Sequence, residues 1–390
     1  MRSYPTAKLT QPIEESLRSG NPWIFADAIS TPDAGTGDIV DVLDTGGDFL
    51  GRGVFDPGSP LRVRLWTLNP EVPVDDGLLQ RRVKAALKRR PFPNTDTTGF
   101  RLLHGEGDRV PGLVCDIYDK TAVLRPDGDA AERWLKPARR VIGKLLNIDH
   151  WAIRRSHQSS LPRAEWWGDE PTNTLTFLEG GLRFEVDPIQ GQKTGFFLDQ
   201  RANRRRVASI CGGRRVLNLF GYTGGFSVFA ADQGAARTTT VDIAGPALDA
   251  ARRNFERNHL PAAAHGFDRA DVFDFLAAFN PRSAPFEVLI CDPPSFAHRR
   301  QDLPAATESY RHLFATVLSI APDKSTVVLA SCSSHIDRPR FLDIIAQAAR
   351  TADTPLILSG CYGADVDHPV PAGFPEADYL QCAIGTVARD

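Results

Sequence analysis

The chain of 390 residues has a formal net charge of −2 and a pI near 6.5, with 42% hydrophobic and 24% charged residues. This length exceeds one ordinary core and predicts two to three domains. The near-neutral charge excludes a protein that coats nucleic acid through a global basic field, because phosphate neutralisation requires an excess of Lys and Arg. No apolar stretch approaches the roughly 20 residues of a bilayer span, and residues 1–5 lack a signal-peptide core. We therefore expect a cytoplasmic protein without membrane contacts.

The cysteines are scattered along the chain, with no C-x-x-C pair and no Cys/His cluster at zinc-ligand spacing. We therefore expect neither a disulfide framework nor a bound metal. Their positions are Cys115, Cys211, Cys291, Cys332, Cys361 and Cys382.

Residues 1–72 carry short alternating runs separated by Gly, Pro and Asp, which predict a small β-barrel or sandwich. An amphipathic helix over residues 76–90 follows, because apolar side chains recur there at helical spacing before Pro91. Residues 73–185 then mix this helix with further strands, which predicts an α+β middle domain.

Residues 186–390 change to strand and helix alternation, which predicts an open α/β sheet. The carboxyl ends of parallel strands meet at one edge of such a sheet, so the residues that follow them come together. The predicted strands cover residues 215–220, 238–242, 265–270, 286–291, 325–331, 354–359 and 379–386.

A glycine-rich turn at residues 221–225 follows the first of these strands and precedes an apolar helix. Glycines let the backbone approach a ligand closely, and a helix N-terminus offers free N–H groups. The spacing matches neither the dinucleotide fingerprint G-x-G-x-x-G nor a Walker loop. The turn alone is therefore a weak signal.

Two acidic residues follow the next strands. Asp242 stands about twenty residues after the turn, where a carboxylate can accept hydrogen bonds from the hydroxyls of a ribose. Alternatively, it caps a helix over residues 246–258. Asp271 can accept a hydrogen bond from an adenine amino group or cap a helix over residues 272–279, and both interpretations remain open.

The fourth strand ends in Asp292-Pro293-Pro294, whose prolines impose a rigid, extended backbone able to position a planar substrate. Cys332 follows the fifth strand and reaches the same edge. By itself it is a small core residue or a nucleophile. The competing Cys291 lies on the strand, where alternation turns its side chain away from Asp292.

In this order, the pieces resemble the class I S-adenosylmethionine (SAM)-dependent methyltransferases. Longer motifs resemble the bacterial large-subunit ribosomal RNA 5-methylcytosine methyltransferases, which carry an N-terminal RNA-binding PUA domain similar to residues 1–72. The resemblance thus covers nearly the whole chain and implies a multidomain α/β fold. The motifs lie at residues 21–25, 103–113, 191–201, 292–296, 331–333, 367–369 and 374–380.

The resemblance implies a SAM cofactor, an RNA substrate that is ribosomal, and catalysis by Cys332 with Asp292. Cys332 would attack C6 of cytosine, because C5 is a poor nucleophile until a thiolate adduct forms. Asp292 would bind the N3/N4 edge. Implied substrate contacts are Pro293, Pro294, Phe296 and Arg201. Implied cofactor contacts are Lys193, Thr194, Gly195, Phe197, Asn218, Phe220, Gly221, Tyr222, Thr223, Gly224, Asp242, Ile243, Asp271, Val272, Phe273 and Asp292.

Other interpretations remain. An amino-methyltransferase also uses Asp-Pro-Pro, although Ser295 stands where such enzymes place an aromatic ring. A catalytically idle RNA-binding or ribosome-assembly factor could retain the fold. The six arginines within residues 201–215 form either an RNA-binding patch or a solvated helix face.

Two further properties stay open at this stage. No spacing pairs His104, His157 or His368 with Cys332, so the base that removes the C5 proton is unassigned. The β-rich N-terminal domains leave room for a homodimer.

Overall fold

The structure is a computed structural model that describes residues 3–155, 161–280, 285–297 and 299–389. His157 lies outside these residues. The chain forms two compact units, and the predicted division into 1–72, 73–185 and 186–390 stays a prediction. The first unit comprises Met1–Gly181, Val186–Leu198 and Val366–Ala377, and the second comprises Leu182–Glu185, Asp199–Asp365 and Asp378–Asp390.

The first sheet of the first unit has the strand order β1-β3-β4-β5-β2, parallel only between β1 and β3. Alternating apolar residues such as Val40, Val42 and Val63 fill its core. The elements are β1 (Thr6–Lys8), α1 (Glu14–Arg18), β2 (Trp23–Phe25), β3 (Ile39–Leu43), β4 (Phe49–Phe55) and β5 (Leu61–Thr67).

The second sheet of this unit has the order β10-β9-β8-β7-β6 and packs two helices onto one apolar core. Asp75 caps the first of these helices by accepting from the Leu78 N–H at 2.9 Å, which is the preferred role of Asp at this position. The elements are α2 (Asp76–Arg89), β6 (Gly99–His104), β7 (Leu113–Tyr118), β8 (Thr121–Pro126), α3 (Leu135–Leu145), β9 (His150–Arg154) and β10 (Ala164–Trp166). Two short strands follow, β11 (Leu175–Glu179) and β12 (Leu182–Val186).

The second unit contains a sheet of seven strands within the described residues, in the order β15-β14-β13-β16-β17-β19-β18. All pairs are parallel except those of β19, which runs antiparallel to both neighbours. The strands are β13 (Arg215–Leu219), β14 (Arg237–Asp242), β15 (Gly266–Arg269), β16 (Val288–Cys291), β17 (Thr326–Ser331), β18 (Leu356–Tyr362) and β19 (Gln381–Val387). The predicted open α/β sheet is confirmed.

Helices cover both faces of this sheet because alternate strand residues are apolar on both sides. Leu217 and Leu289 pack with helices of one face, whereas Val216 and Val288 pack with helices of the other. The helices are α4 (Arg201–Ala208), α5 (Gly225–Asp232), α6 (Gly245–Arg257), α7 (Val272–Ala278), α8 (Leu303–Ile320) and α9 (Arg338–Thr351). None of the helices in the described part of the chain is long and apolar enough to cross a membrane.

Candidate active site

Three neighbouring parallel strands, β13, β16 and β17, deliver the predicted chemical groups to one edge of the second unit's sheet. The register pairs Leu219 with Cys291 and Cys291 with Leu329. The glycine-rich turn and the Asp-Pro-Pro loop therefore begin at the same level, whereas β17 runs two residues further, to Ser331, before the Cys332 loop begins.

The turn after β13 is held in a backbone conformation that costs energy. Phe220 and Tyr222 have positive φ values of 56° and 47°, and Gly224 has a φ of 78°. Left-handed backbone is uncommon for aromatic residues and tends to mark functional sites. Here the Asp242 carboxylate compensates by accepting from the Tyr222 N–H at 2.8 Å.

Gly221 is required by packing, because a Cβ there would lie 2.4 Å from the Thr240 Cγ2. Beneath it, the Asn218 amide donates to the Ser227 hydroxyl at 2.9 Å, and that hydroxyl contacts the Thr240 hydroxyl at 2.7 Å. Asn218 is thus buried in the base of the turn. Its side chain supports the turn from below.

Sequence reasoning missed Asn254, which holds the turn from the side. Its fully buried amide donates to the Thr223 carbonyl at 3.0 Å and accepts from the Glu185 N–H at 2.9 Å. A polar residue on the apolar face of α6, in line with Ala247 and Ala251, was the available signal.

Asp242 is not the cap of the helix that follows it. The capping position belongs to Ala244 and makes no side-chain bond, whereas Asp242 accepts from the Ala244 N–H at 2.8 Å through its second oxygen. Two backbone amides therefore orient this carboxylate at the carboxyl end of β14.

Asp271 does cap a helix, since its carboxylate accepts from Phe273 N at 2.8 Å and Asp274 N at 3.3 Å. Val272 is buried in the core, which removes its side chain from the surface. By contrast, Ile243, directly after β14, is 65% exposed, and Phe273, in the first turn of α7, is 38% exposed. These apolar surfaces suit a planar, apolar ring.

The Asp-Pro-Pro loop contacts the cysteine loop directly. Cys332 is half-buried, and its Sγ lies 4.0 Å from the Pro293 carbonyl oxygen. Pro294 is exposed, and the Phe296 ring packs 4.7 Å from the ring of Tyr310. The loop thus exposes Pro294, whereas Pro293 is buried and Phe296 is anchored by the contact of its ring with Tyr310.

Cys291 is fully buried on the sheet face that packs with α8 and α9. Burial, followed by the neighbouring Asp292 charge, raises the pKa of the Cys291 thiol well above its usual value. A buried thiol with a raised pKa is a poor nucleophile. This position agrees with its interpretation as a core residue.

Asp292 has a partner that sequence reasoning did not select. The buried Gln200 donates its Nε2–H to the Asp292 Oδ2 at 3.0 Å. Gln200 precedes helix α4 within the 191–201 motif, so its position in a long motif was the available signal.

The arginine run, predicted as either an RNA-binding patch or a solvated helix face, is partly internal. Arg201 is fully buried and forms an ion pair with Asp365 at 3.0 Å, and Arg204 is also buried. Arg205 and Arg206 are exposed. The Arg201 guanidinium does not reach the surface in this structure, and its contact with a substrate stays a prediction.

The predicted cofactor segment at residues 193–197 belongs to the first unit. The Thr194 hydroxyl donates to Asp116 at 2.6 Å and contacts the Tyr118 hydroxyl at 2.9 Å. Gly195 has a φ of 123°, and the Lys193 ammonium lies 4.4 Å from the Phe197 ring centroid. The segment is therefore firmly held within its own unit.

The sequence matches two known families. The S-adenosylmethionine-dependent methyltransferase family covers residues 101–357, and the PUA-like domain family covers residues 7–68. A methyltransferase from Streptococcus mutans superposes with a TM-score of 0.85 at 22% identity, over 98% of this chain and 100% of that one. A second methyltransferase structure, complexed with S-adenosylhomocysteine (SAH), gives a TM-score of 0.86 with the same identity and coverage.

Curated relatives are similar over nearly the full length. The ribosomal RNA large subunit methyltransferase I of Photobacterium profundum is 33% identical over 383 residues, which are 94% of this chain and 96% of the relative. The ribosomal RNA large subunit methyltransferase of Deinococcus radiodurans is 35% identical over 395 residues, covering 96% and 95% of the two chains.

The fold, the loops that follow β13, β16 and β17, and the two family matches define a SAM-dependent methyltransferase with an N-terminal PUA-like domain. The residues present fit this cofactor, since the oriented Asp242 carboxylate and the exposed Ile243 and Phe273 match a ribose and an adenine ring. Within that class, the chain belongs to the family of the ribosomal RNA large subunit methyltransferases I.

Proposed function

We propose that this protein methylates C5 of a cytosine in large-subunit ribosomal RNA, with Cys332 as the nucleophile. The observation that carries the proposal is the contact between Cys332 Sγ and the Pro293 carbonyl oxygen at 4.0 Å. A half-buried thiol beside the loop that holds a planar base has a chemical use, whereas a methyl transfer to an amino group requires no thiol.

The proposed cofactor contacts divide by the part of SAM that they touch. Asp242 would accept hydrogen bonds from the ribose hydroxyls, while Ile243 and Phe273 would flank the adenine. Asp271 would accept a hydrogen bond from the adenine amino group through the carboxylate oxygen that does not cap α7. The turn at residues 220–224 would approach the methionine portion, and Lys193, Thr194, Gly195 and Phe197 would line its reactive end. When bound, SAM supplies a methyl group carried on a sulfonium sulfur.

The proposed chemistry uses this chain's residues as follows. Cys332 Sγ forms a bond to C6 of the cytosine, and the electron pair of the C5–C6 double bond moves toward C5. Asp292 holds the N3/N4 edge of the ring, with Pro293 and Pro294 against the base. C5 takes the methyl group, and the bonding pair stays on the donor sulfur. Loss of the C5 proton to a base restores the double bond and expels Cys332.

The RNA partner follows from the domain composition and the relatives. A PUA-like domain at residues 7–68 accompanies the methyltransferase domain, and the curated relatives are named for large-subunit ribosomal RNA. With a net charge of −2, RNA affinity must come from local basic groups. Arg205 and Arg206 are the exposed members of the arginine run, and Arg205 is the one that we propose for this role.

The decisive experiment replaces Cys332 by Ala. We expect loss of 5-methylcytosine from ribosomal RNA, measured by nucleoside mass spectrometry, with SAM affinity nearly unchanged. Cys361→Ala is the matched control, because Cys361 is another half-buried cysteine of the second unit and lies on β18.

RNA that contains 5-fluorocytidine gives a second measurement. The fluorine at C5 cannot leave as a proton does, so the wild-type protein should form a stable covalent adduct that Cys332→Ala cannot form. Full activity of Cys332→Ala, or transfer of the methyl group to the cytosine amino group, would contradict the proposed function.

A further inference from the structure

The Asp292 carboxylate is held by a polar side chain that has almost no contact with solvent. Gln200 is 2% exposed, and its Nε2–H donates to Asp292 Oδ2 at 3.0 Å. A buried amide in this position requires a partner for its own oxygen as well. That partner is Asn203, whose Nδ2–H donates to Gln200 Oε1 at 2.7 Å.

The orientation of the Asn203 amide is determined from both of its ends. Arg206 donates an Nη1–H to Asn203 Oδ1 at 3.1 Å, and the Asn203 Nδ2–H also donates to the Gly363 carbonyl at 3.3 Å. A guanidinium cannot accept and a carbonyl cannot donate. Asn203 Oδ1 must therefore face Arg206, and its Nδ2 must face Gln200.

These bonds form a chain with a single direction from donor to acceptor. It begins at the Arg206 guanidinium, whose carbon lies 4.4 Å from the Tyr362 ring centroid, and it ends at the Asp292 carboxylate. Gln200, Asn203 and Arg206 stand three residues apart at the start of α4 and along it, so they share one helix face. Each amide consequently has one permitted orientation.

We infer that Gln200 and Asn203 are positioning residues that keep Asp292 a hydrogen-bond acceptor directed at the target base. This inference rests on the proposed function and deepens it. An acceptor-only carboxylate matches the N4 amino group and protonated N3 of cytosine. It opposes the O4 oxygen of uracil, so the chain of amides contributes to the choice of cytosine.

Gln200→Glu tests the inference with almost no change of shape. The variant replaces the donor by a second carboxylate, which disfavours ionisation of Asp292. At saturating SAM and RNA, we expect the ascending limb of the pH–rate profile to move upward by about 1 pH unit or more. At a pH on that limb the single-turnover rate should fall about tenfold or more, while KM for RNA changes less.

Gln233→Glu is the matched control, because the exposed Gln233 makes the same kind of bond to Asp232 Oδ2 at 2.9 Å. It should leave the pH profile in place. Asn203→Asp is the second variant and carries the test if Gln200→Glu fails to fold. An added carboxylate oxygen would repel Gln200 Oε1 and rotate that amide, which turns its oxygen toward Asp292 and lowers the rate.

An unchanged pH profile and rate in both Gln200→Glu and Asn203→Asp would overturn the inference. That result differs from a failure of the proposed function, in which the wild-type protein itself would make a product other than 5-methylcytosine. In competition between RNA substrates, Asn203→Asp should methylate uridine more, relative to cytidine, than the wild-type protein does. The same ratio of methylated uridine to methylated cytidine in both proteins would overturn the specificity part of the inference.

Discussion

Two backbone segments are proposed to contact SAM, and different forces hold them. The turn at residues 220–225 in the second unit is held mainly by packing and by neutral side chains such as Asn218 and Asn254, with one carboxylate, that of Asp242, bound to the Tyr222 N–H. The segment at residues 187–197 in the first unit is held mainly by buried charges.

Charged groups secure the second of these segments at several points. Arg154 is buried and donates to the carbonyls of Pro188 at 3.1 Å, Ile189, and Gly191 at 2.8 Å. Asp116 accepts from Thr194 and is bound by Arg101 through two bonds of 2.8 and 2.9 Å. Guanidinium groups suit this role because their donors form a rigid fork.

The contrast shows that a backbone segment can be fixed mainly by packing or mainly by buried charges. A turn held by packing should be destabilised by added side-chain volume, whereas a segment held by buried ions should be destabilised by the loss of one charge. Substitutions in the two segments therefore test the comparison.

The largest effect is expected for Asp116→Asn. The fully buried Asp116 balances Arg101, whose side chain is 10% exposed, and removal of one charge leaves the other uncompensated. We expect the free energy of unfolding to fall by about 3–5 kcal/mol, measured by urea denaturation. Asp119→Asn, at an exposed neighbouring position, should have little effect, and an equal loss in both variants would refute the electrostatic account.

Gly221→Ala should have the next largest effect. The added Cβ lies 2.4 Å from Thr240 Cγ2, and such overpacking costs about 1–3 kcal/mol. SAM affinity, measured by calorimetry, should fall as the turn shifts. Gly212→Ala is the control, because a Cβ there would lie 3.5 Å from the Gln233 carbonyl oxygen, an ordinary contact. Normal SAM binding by Gly221→Ala would show that the turn is less constrained than its packing indicates.

Thr194→Val should have a smaller effect that Thr194→Ser largely avoids. Valine keeps the shape of threonine but removes the hydroxyl that bonds to Asp116 and Tyr118. A buried hydrogen bond of this kind is worth about 1–3 kcal/mol. If the segment matters for SAM as proposed, Thr194→Val should also raise KM for SAM more than it lowers kcat. Equal behaviour of the Val and Ser variants would exclude a role for the hydroxyl.

The smallest effect is a pH dependence from His104. Burial, with the neighbouring His368 and Arg101, lowers the pKa of His104 well below its ordinary value. The Arg101 guanidinium lies 3.2 Å from its Nδ1, so that nitrogen is an acceptor in the neutral ring. Below about pH 6.5 the His104 imidazole binds a proton in the unfolded chain but stays neutral in the folded chain. Stability should therefore fall as the pH decreases through this value.

Urea denaturation at pH 5 and pH 7.5 measures this dependence. The slope from one such histidine is at most about 1.4 kcal/mol per pH unit, and His104→Gln should remove it. His335→Gln, at an exposed position, should leave the slope as in the wild type. A wild-type slope that persists in His104→Gln would assign it to other groups.

Much of the fold could be predicted because strand alternation and helix periodicity are local signals. The strand predicted at residues 215–220 is observed at Arg215–Leu219, and the helix predicted at 76–90 is observed at Asp76–Arg89. The order of strands in the sheet was not predicted, whereas the general rule that the carboxyl ends of parallel strands meet at one edge applies without it. That rule predicts that the loops of Asp292 and Cys332 lie together, and Cys332 Sγ lies 4.0 Å from the Pro293 carbonyl oxygen.

The supporting contacts could not be predicted in the same way. Gln200 reaches Asp292 across 92 residues of sequence, and a local pattern carries no information about such a pairing. The burial of Arg201 was missed for a related reason, because a run of arginines predicts solvent exposure until a specific acid, here Asp365, is found beside it. Asp271 illustrates a third limit, since an acid after a strand fits a cap and a ligand contact equally well.

The position of β19 links the sheet to the order in which the chain is synthesised. This strand, Gln381–Val387, comes after all others of the sheet in sequence, yet it lies between β17 and β18. Until it emerges from the ribosome, the strand that leads to Cys332 has an open edge with unpaired backbone groups. The loop that carries Cys332 therefore gains its final support only late in translation, so a nascent chain that lacks β19 would have neither a finished sheet nor a fixed position for this thiol.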